Sequence, residues 1–138
     1  MNLRKVDHIT IKSTDYEKTK TFYKELGFKI VKERYLDKQK RHELSLKLGD
    51  SEIEIVAYPE KEEMIEGINL HGLSHLSIEV GNVDDVVKEL RIKGVEVEDV
   101  KLDEETAKKY TFFKDPDGMW IELYEVSIWE YATQNQYL

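Results

Sequence analysis

The 138-residue sequence contains no cysteine. That excludes disulfides, thiolate nucleophiles and cysteine-based metal sites, and it fits a cytoplasmic location. Basic residues are in deficit: 21 Lys and Arg stand against 29 Asp and Glu, for a net charge of −8. Neither nucleic acid nor an anionic membrane is therefore expected as the main partner. No run approaches the roughly 18 apolar residues of a membrane span. The opening Met1-Asn2-Leu3-Arg4-Lys5 has no signal-peptide core. There is no low-complexity segment. What remains, 40% hydrophobic and 36% charged residues, suits a globular protein with a heavily solvated surface.

What is there comes twice. Val6-Asp7-His8-Ile9-Thr10-Ile11 is echoed by Leu73-Ser74-His75-Leu76-Ser77-Ile78, with the second histidine 67 residues after the first. Ile53-Glu54-Ile55 is echoed by Ile121-Glu122-Leu123, 68 residues on. Gly27 and Gly94 repeat the 67-residue offset. The repeat predicts a first module over about 4–58, a linker over 59–70, a second module over about 71–126 and a tail over 127–138. Modules of roughly 60 residues bury too little surface to stand alone, so they are expected to share one core in a single domain over 1–138.

Each module reads as a strand, a helix and further strands. In the first, Val6–Ile11 alternates as a strand. Thr14 and Glu17 have the spacing of a capping box, and Tyr16, Phe22, Tyr23 and Leu26 form a helical stripe ending at Gly27. Phe28–Tyr35, Leu44–Leu48 and Glu52–Ala57 follow as strands, the first two separated by the charged turn 37–41. In the second, Leu73–Val80 is a strand, and Asn82 caps a helix bearing Val83, Val86, Val87 and Leu90 up to Gly94. Val95–Val100, Tyr110–Lys114 and Met119–Glu125 are strands, the last two joined by the turn Asp115-Pro116-Asp117-Gly118. The aromatic tail residues Trp129, Tyr131 and Tyr137 have no clear period.

Side chains alternate across a strand, so His8, Glu54, His75 and Glu122 each lie opposite flanking aliphatic residues. A lone strand histidine is usually a satisfied structural residue, and a lone glutamate between isoleucines is usually a solvated position. Both types recurring at matched offsets are harder to explain so. Two imidazoles and two carboxylates are costly to enclose together, and a divalent cation resolves that cost. The donor set suits Ni, Co or Zn, with Mn or Fe(II) possible. His42 and His71 lack such pairing and read as surface or loop residues.

Taken with Thr21-Phe22-Tyr23-x-x-Leu26-Gly27-Phe28 and Thr111-Phe112-Phe113-Lys114-Asp115-Pro116-Asp117-Gly118, these motifs resemble the vicinal-oxygen-chelate superfamily, that of glyoxalase I. The resemblance spans about residues 4–126 and is greatest to short bacterial glyoxalase-I-like metalloproteins. It implies an α+β fold of two tandem βαβββ modules whose curved sheets form one metal cleft. It also implies that His8, Glu54, His75 and Glu122 are the ligands of one divalent metal. Fosfomycin-resistance members lack the equivalent of Glu54, methylmalonyl-CoA epimerases usually carry Gln there, and extradiol dioxygenases use three ligands.

The implied function is a glyoxalase-I-like lyase or isomerase, moving a proton through a metal-stabilised enediolate, with Glu122 as base and Glu54 as its counterpart. The alternatives are a small-molecule or antibiotic-binding protein of the same superfamily, or an epimerase of the methylmalonyl-CoA type. The family's arginine after the first metal-ligand strand is absent, since the chain reads Ile11-Lys12-Ser13-Thr14. Substrate contacts fall instead to Lys108, Lys109 and Trp120, with Arg34, Arg41, Tyr124 and Phe113 as further candidates. The expected partners are a small-molecule substrate and a second copy of the chain in a homodimer.

Overall fold

The structure is a computed structural model, and it describes residues 1–2, 4, 6–57, 73, 75–104 and 106–126. The expected linker, the tail and His71 lie outside the described residues. The chain divides into two compact units, Met1–Ile68 and Asn69–Leu138. In the first, β1 (Ile9–Ser13), α1 (Tyr16–Glu25), β2 (Lys29–Leu36), β3 (Arg41–Leu48) and β4 (Ser51–Ala57) follow in order. In the second they are β5 (Leu76–Val80), α2 (Val83–Ile92), β6 (Lys101–Leu102), β7 (Lys109–Lys114) and β8 (Trp120–Glu125). Each unit is thus βαβββ, with an open four-stranded sheet in the order β1-β4-β3-β2 or β5-β8-β7-β6. In both sheets the first strand runs parallel to the last and the other pairings are antiparallel. This is the expected α+β fold. Among the described residues no helix is long and apolar enough to cross a membrane.

Local chemistry sets the helix ends. Asp15 and Asn82 hold extended backbones, and their side-chain oxygens accept the N–H groups of Lys18 and Asp85 at 3.1 and 3.0 Å. The first cap is therefore Asp15, one residue beyond the expected Thr14. Ser13 Oγ accepts the Asp15 N–H at 3.2 Å, which pins the chain one residue later than the sequence spacing implies. Glu17, Asp84 and Asp85 place negative charge at the positive helix ends.

Both helices stop alike. Gly27 and Gly94 adopt φ of 103° and 83°, a region closed to most side chains. Their N–H groups reach Lys24 and Arg91, while those of Phe28 and Val95 reach back to Tyr23 and Leu90. These paired bonds satisfy the last helical carbonyls. Phe28 then packs edge-on against Tyr23, ring centroids 5.4 Å apart.

The first unit buries Tyr23, Phe28, Leu44, Leu46, Ile53 and Ile55. The polar pair Ser13 and Thr19 lies within that core as a mutual hydroxyl hydrogen bond of 2.7 Å. The second unit buries Val83, Val87, Leu90, Phe113, Ile121 and Leu123.

Two further expectations need correction. Val95–Val100 is not a strand: it contributes one isolated bridge, Val97 to Phe113, before the two-residue β6. The Val97 carbonyl accepts from Arg91 and that of Glu98 from Thr111, so side chains take the bonds a ladder would need. His42 is not a loop residue either. The turn ends at Lys40, and His42 sits in β3, stacked on Tyr16 at 4.2 Å and tilted against Tyr35 at 4.8 Å.

If these caps fix the helix starts, Asp15→Ala and Asn82→Ala should each lower unfolding free energy by about 1 kcal/mol. Urea denaturation of the variants measures this, and an unchanged midpoint for Asp15→Ala would return the cap to Thr14.

Candidate metal centre

The parallel ladders set which side chains meet. Thr10 pairs with Glu54 across β1 and β4, and Ser77 pairs with Glu122 across β5 and β8. His8 and His75 each stand one residue before their strand and two before the hydroxyl residue, hence on the same face as the glutamate. The buried neighbours Ile53 and Ile55, and Ile121 and Leu123, anchor the opposite face. The two units therefore present the same donors in the same register.

His8 Nε2 lies 3.9 Å from Glu54 Oε2, and His75 Nε2 lies 3.7 Å from Glu122 Oε1. Both separations are too long for a hydrogen bond. Both let two donors reach one cation at about 2.0–2.2 Å from each, so the donors fit a divalent metal. Each pair offers two donor atoms. Among the described residues no group of three or more His, Asp or Glu side chains is assembled.

The surroundings of the two pairs differ. His8 Nδ1 bonds Asp7 Oδ2 at 2.9 Å, an arrangement that directs Nε2 toward Glu54. That bond, aided by the charges of Glu54, Asp7 and Glu52 and opposed by partial desolvation, raises the His8 pKa above the ordinary imidazole value. His75 instead meets the edge of Phe112, ring centroids 5.3 Å apart. Ser77 Oγ donates to Glu122 Oε1 at 2.8 Å. Thr10 holds the equivalent place beside Glu54 without such a bond.

The face bearing Glu122 is aromatic. Register places Phe112 beside Glu122, Tyr110 beside Tyr124, and Lys114 beside Trp120, where the Lys114 ammonium sits 4.6 Å from the indole centroid. Phe113, an expected contact, faces the other way: it is buried and pairs with Ile121, so Phe112 takes its place.

Lys108 and Lys109 separate for the same reason of parity. Lys108 Nζ lies 5.7 Å above the Tyr124 ring. Lys109 precedes Tyr110 by one residue and turns to the helix side, where it pairs with Asp84 at 2.5 Å. Tyr124 also donates its hydroxyl to Asp103 at 2.9 Å and bonds Thr106 at 2.8 Å, tying the 103–108 loop to this face.

One residue went unnoticed in the sequence, the partner of the candidate residues Arg34 and Arg41. Glu43, only 5% exposed, shares the Glu54 face of the first sheet, since Ser45 pairs with Glu54 and Glu43 with Val56. Its Oε2 accepts from Arg34 Nε at 2.8 Å and Nη2 at 2.6 Å. Its Oε1 accepts from Arg41 Nε at 3.0 Å and from Nη2 of the same residue. The Arg34 bonds first, then those of Arg41, hold the Glu43 carboxyl below its ordinary pKa despite burial. The available signal was alternation, which puts Arg41, Glu43 and Ser45 on one face.

Comparison with known proteins gives a consistent result. The sequence model of the Glyoxalase/Bleomycin resistance protein/Dioxygenase superfamily matches residues 5–123. The Bacillus subtilis protein "Uncharacterized protein YwkD" is 41% identical over 127 residues, covering 91% of this chain and 99% of its own. A glyoxalase family protein from Enterococcus faecalis superposes with a TM-score of 0.82 at 36% identity, covering 91% of this chain and all of that one. TnmS3, an antibiotic binding protein from Streptomyces sp. CB03234, superposes at 0.71 with 25% identity, covering 92% and 99%.

The depressed Glu43 pKa carries a sign for stability. Its contribution is present above the unfolded carboxylate value of about 4.5 and is lost as pH falls through the lower folded value. Glu43→Gln should cost about 1.5–3 kcal/mol at neutral pH, the range for hydrogen bonds to charged groups. The gap to wild type should narrow at acidic pH. Urea unfolding at neutral pH and below pH 4 tests this; a pH-independent gap would show that Glu43 is not ionised against its arginines.

Proposed function

Because the chain belongs to the Glyoxalase/Bleomycin resistance protein/Dioxygenase superfamily, we propose that it is a metal-dependent lyase or isomerase of the glyoxalase I type. Its substrate would be a small molecule with two adjacent oxygens. The observation that carries this reading is the repeated His–carboxylate pair in identical register, 3.9 Å apart in one unit and 3.7 Å in the other. On this reading His8, Glu54, His75 and Glu122 hold one divalent transition metal, with Ni, Co or Zn best suited to the donors. When bound, the metal supplies Lewis acidity toward the two substrate oxygens.

The chain's own groups do the rest. Glu122 takes a proton from one carbon and returns it to its neighbour. The Ser77 hydroxyl holds Glu122 Oε1, which leaves Oε2 as the basic atom. Glu54, without a hydroxyl donor, is the second carboxylate. Trp120, Phe112 and Tyr124 supply an apolar wall beside the reacting carbons, and Lys108 stands over Tyr124 at its edge. Lys109 is engaged with Asp84 on the other side of its strand and takes no part.

A second reading has its own support. The aromatic face around Glu122 would serve a binding protein equally, and TnmS3 shares the fold. Such a protein would show saturable affinity for a small molecule and no turnover with any metal.

Metal analysis followed by hemithioacetal turnover with Ni, Co and Zn in turn separates the two. One metal per chain is expected, and the double variant His8→Ala with His75→Ala should lose it. Glu122→Gln should keep metal while kcat falls about 10²–10⁴-fold, the usual contribution of general base catalysis. Glu54→Gln should lose less. An unchanged kcat in metal-loaded Glu122→Gln would move the base elsewhere.

A further inference from the structure

His42 lies one residue from Glu43 and therefore on the opposite side of its sheet, away from Glu54. On that side an open pocket of about 570 Å³ sits where β1 turns into α1. Its volume falls within the roughly 300–1,000 Å³ of small-molecule sites. Ala57 is its buried floor. That residue pairs with Ser13 on one strand and His42 on the other, and its single methyl leaves depth that a larger side chain would fill.

The walls are aromatic. Tyr16 stacks on His42 with centroids 4.2 Å apart, and Tyr35 leans on His42 from the next strand at 4.8 Å. The Tyr16 hydroxyl donates to Glu33, which fixes that ring in place. Tyr35 is 50% exposed, so its ring is open to a visitor. The rim is acidic. Asp15 and Glu17 line the pocket, both exposed, and among the described residues no Lys or Arg does so. Lys20 approaches Tyr16 to 5.7 Å but is bonded to Glu33 at 2.6 Å. The N-terminus of α1 contributes roughly half a positive charge, too little to offset two carboxylates.

From this geometry we propose that the pocket binds an organic ammonium ion with an apolar body. The cationic head meets Tyr35 and the carboxylates of Asp15 and Glu17, since aromatic rings and anions attract the same charge. The apolar body lies over Ala57, beside the stacked rings of Tyr16 and His42. The same carboxylates repel an anionic ligand of equal shape. Glu54 lies across the sheet, so occupancy does not depend on a metal there.

Isothermal titration with two probes tests this. One is benzyltrimethylammonium. The other is benzyldimethylamine N-oxide, in which an oxygen replaces one methyl and cancels the charge. Wild type should bind the cation about five- to thirtyfold more tightly, the scale of a well-placed cation–π contact. Tyr35→Leu should remove most of that preference and Glu17→Gln part of it. Both residues are exposed, and circular dichroism confirms that each variant is folded. Should Tyr35→Leu fail to fold, Glu17→Gln decides the matter. Equal affinity for the two probes in wild type overturns the proposal, as does the absence of saturable cation binding at millimolar concentration. A preference unchanged in the folded variants places the cation elsewhere and overturns it too.

Discussion

In each unit the edge ladder, β1 on β4 and β5 on β8, decides which side chains can meet. Its parallel direction and its register put a histidine, a hydroxyl residue and a glutamate on one face in the same relative places. A slip of one residue would turn either glutamate into the aliphatic layer, against Ile53 and Ile55 or Ile121 and Leu123. Burial of those four residues is therefore what holds the polar pairs in position. The site chemistry borrows its precision from the hydrophobic core behind it.

The two units share this frame but not its lining. Around Glu54 the face is basic and organised by the buried Glu43 with Arg34 and Arg41. Around Glu122 it is aromatic, with Phe112, Trp120 and Tyr124. The glutamates differ as well, since Ser77 donates to one and Thr10 leaves the other unbonded. A duplicated scaffold has kept its donor positions while each half took on different neighbours.

Much of this was legible before any coordinates. Alternation at Ile53-Glu54-Ile55 and Ile121-Glu122-Leu123, helix stripes, and glycines at helix ends are local signals, and the βαβββ order follows from them. What was missed depends on parity or on competition. Phe112 and Phe113 differ by one position, and only the pairing with β8 says which faces Glu122. Lys108 and Lys109 divide in the same way. Thr14 and Asp15 are both good caps, and Ser13 settles the choice through a bond the spacing does not reveal. Val95–Val100 alternates well enough to be a strand, yet Arg91 and Thr111 occupy its carbonyls. The Glu43 cluster needed the β2–β3 register, which shifts between Ile30 and Lys32.

The parallel edge ladder also has a kinetic side. His8 and Glu54 belong to the opening and closing strands of their unit, and so do His75 and Glu122. Neither pair is formed by a hairpin; each waits for a helix and two intervening strands to be laid down. Contacts of such long sequence separation are late and slow to form. Each His–Glu pair is thus a product of its unit's completed fold, absent from partly folded chains, where its two side chains stand far apart.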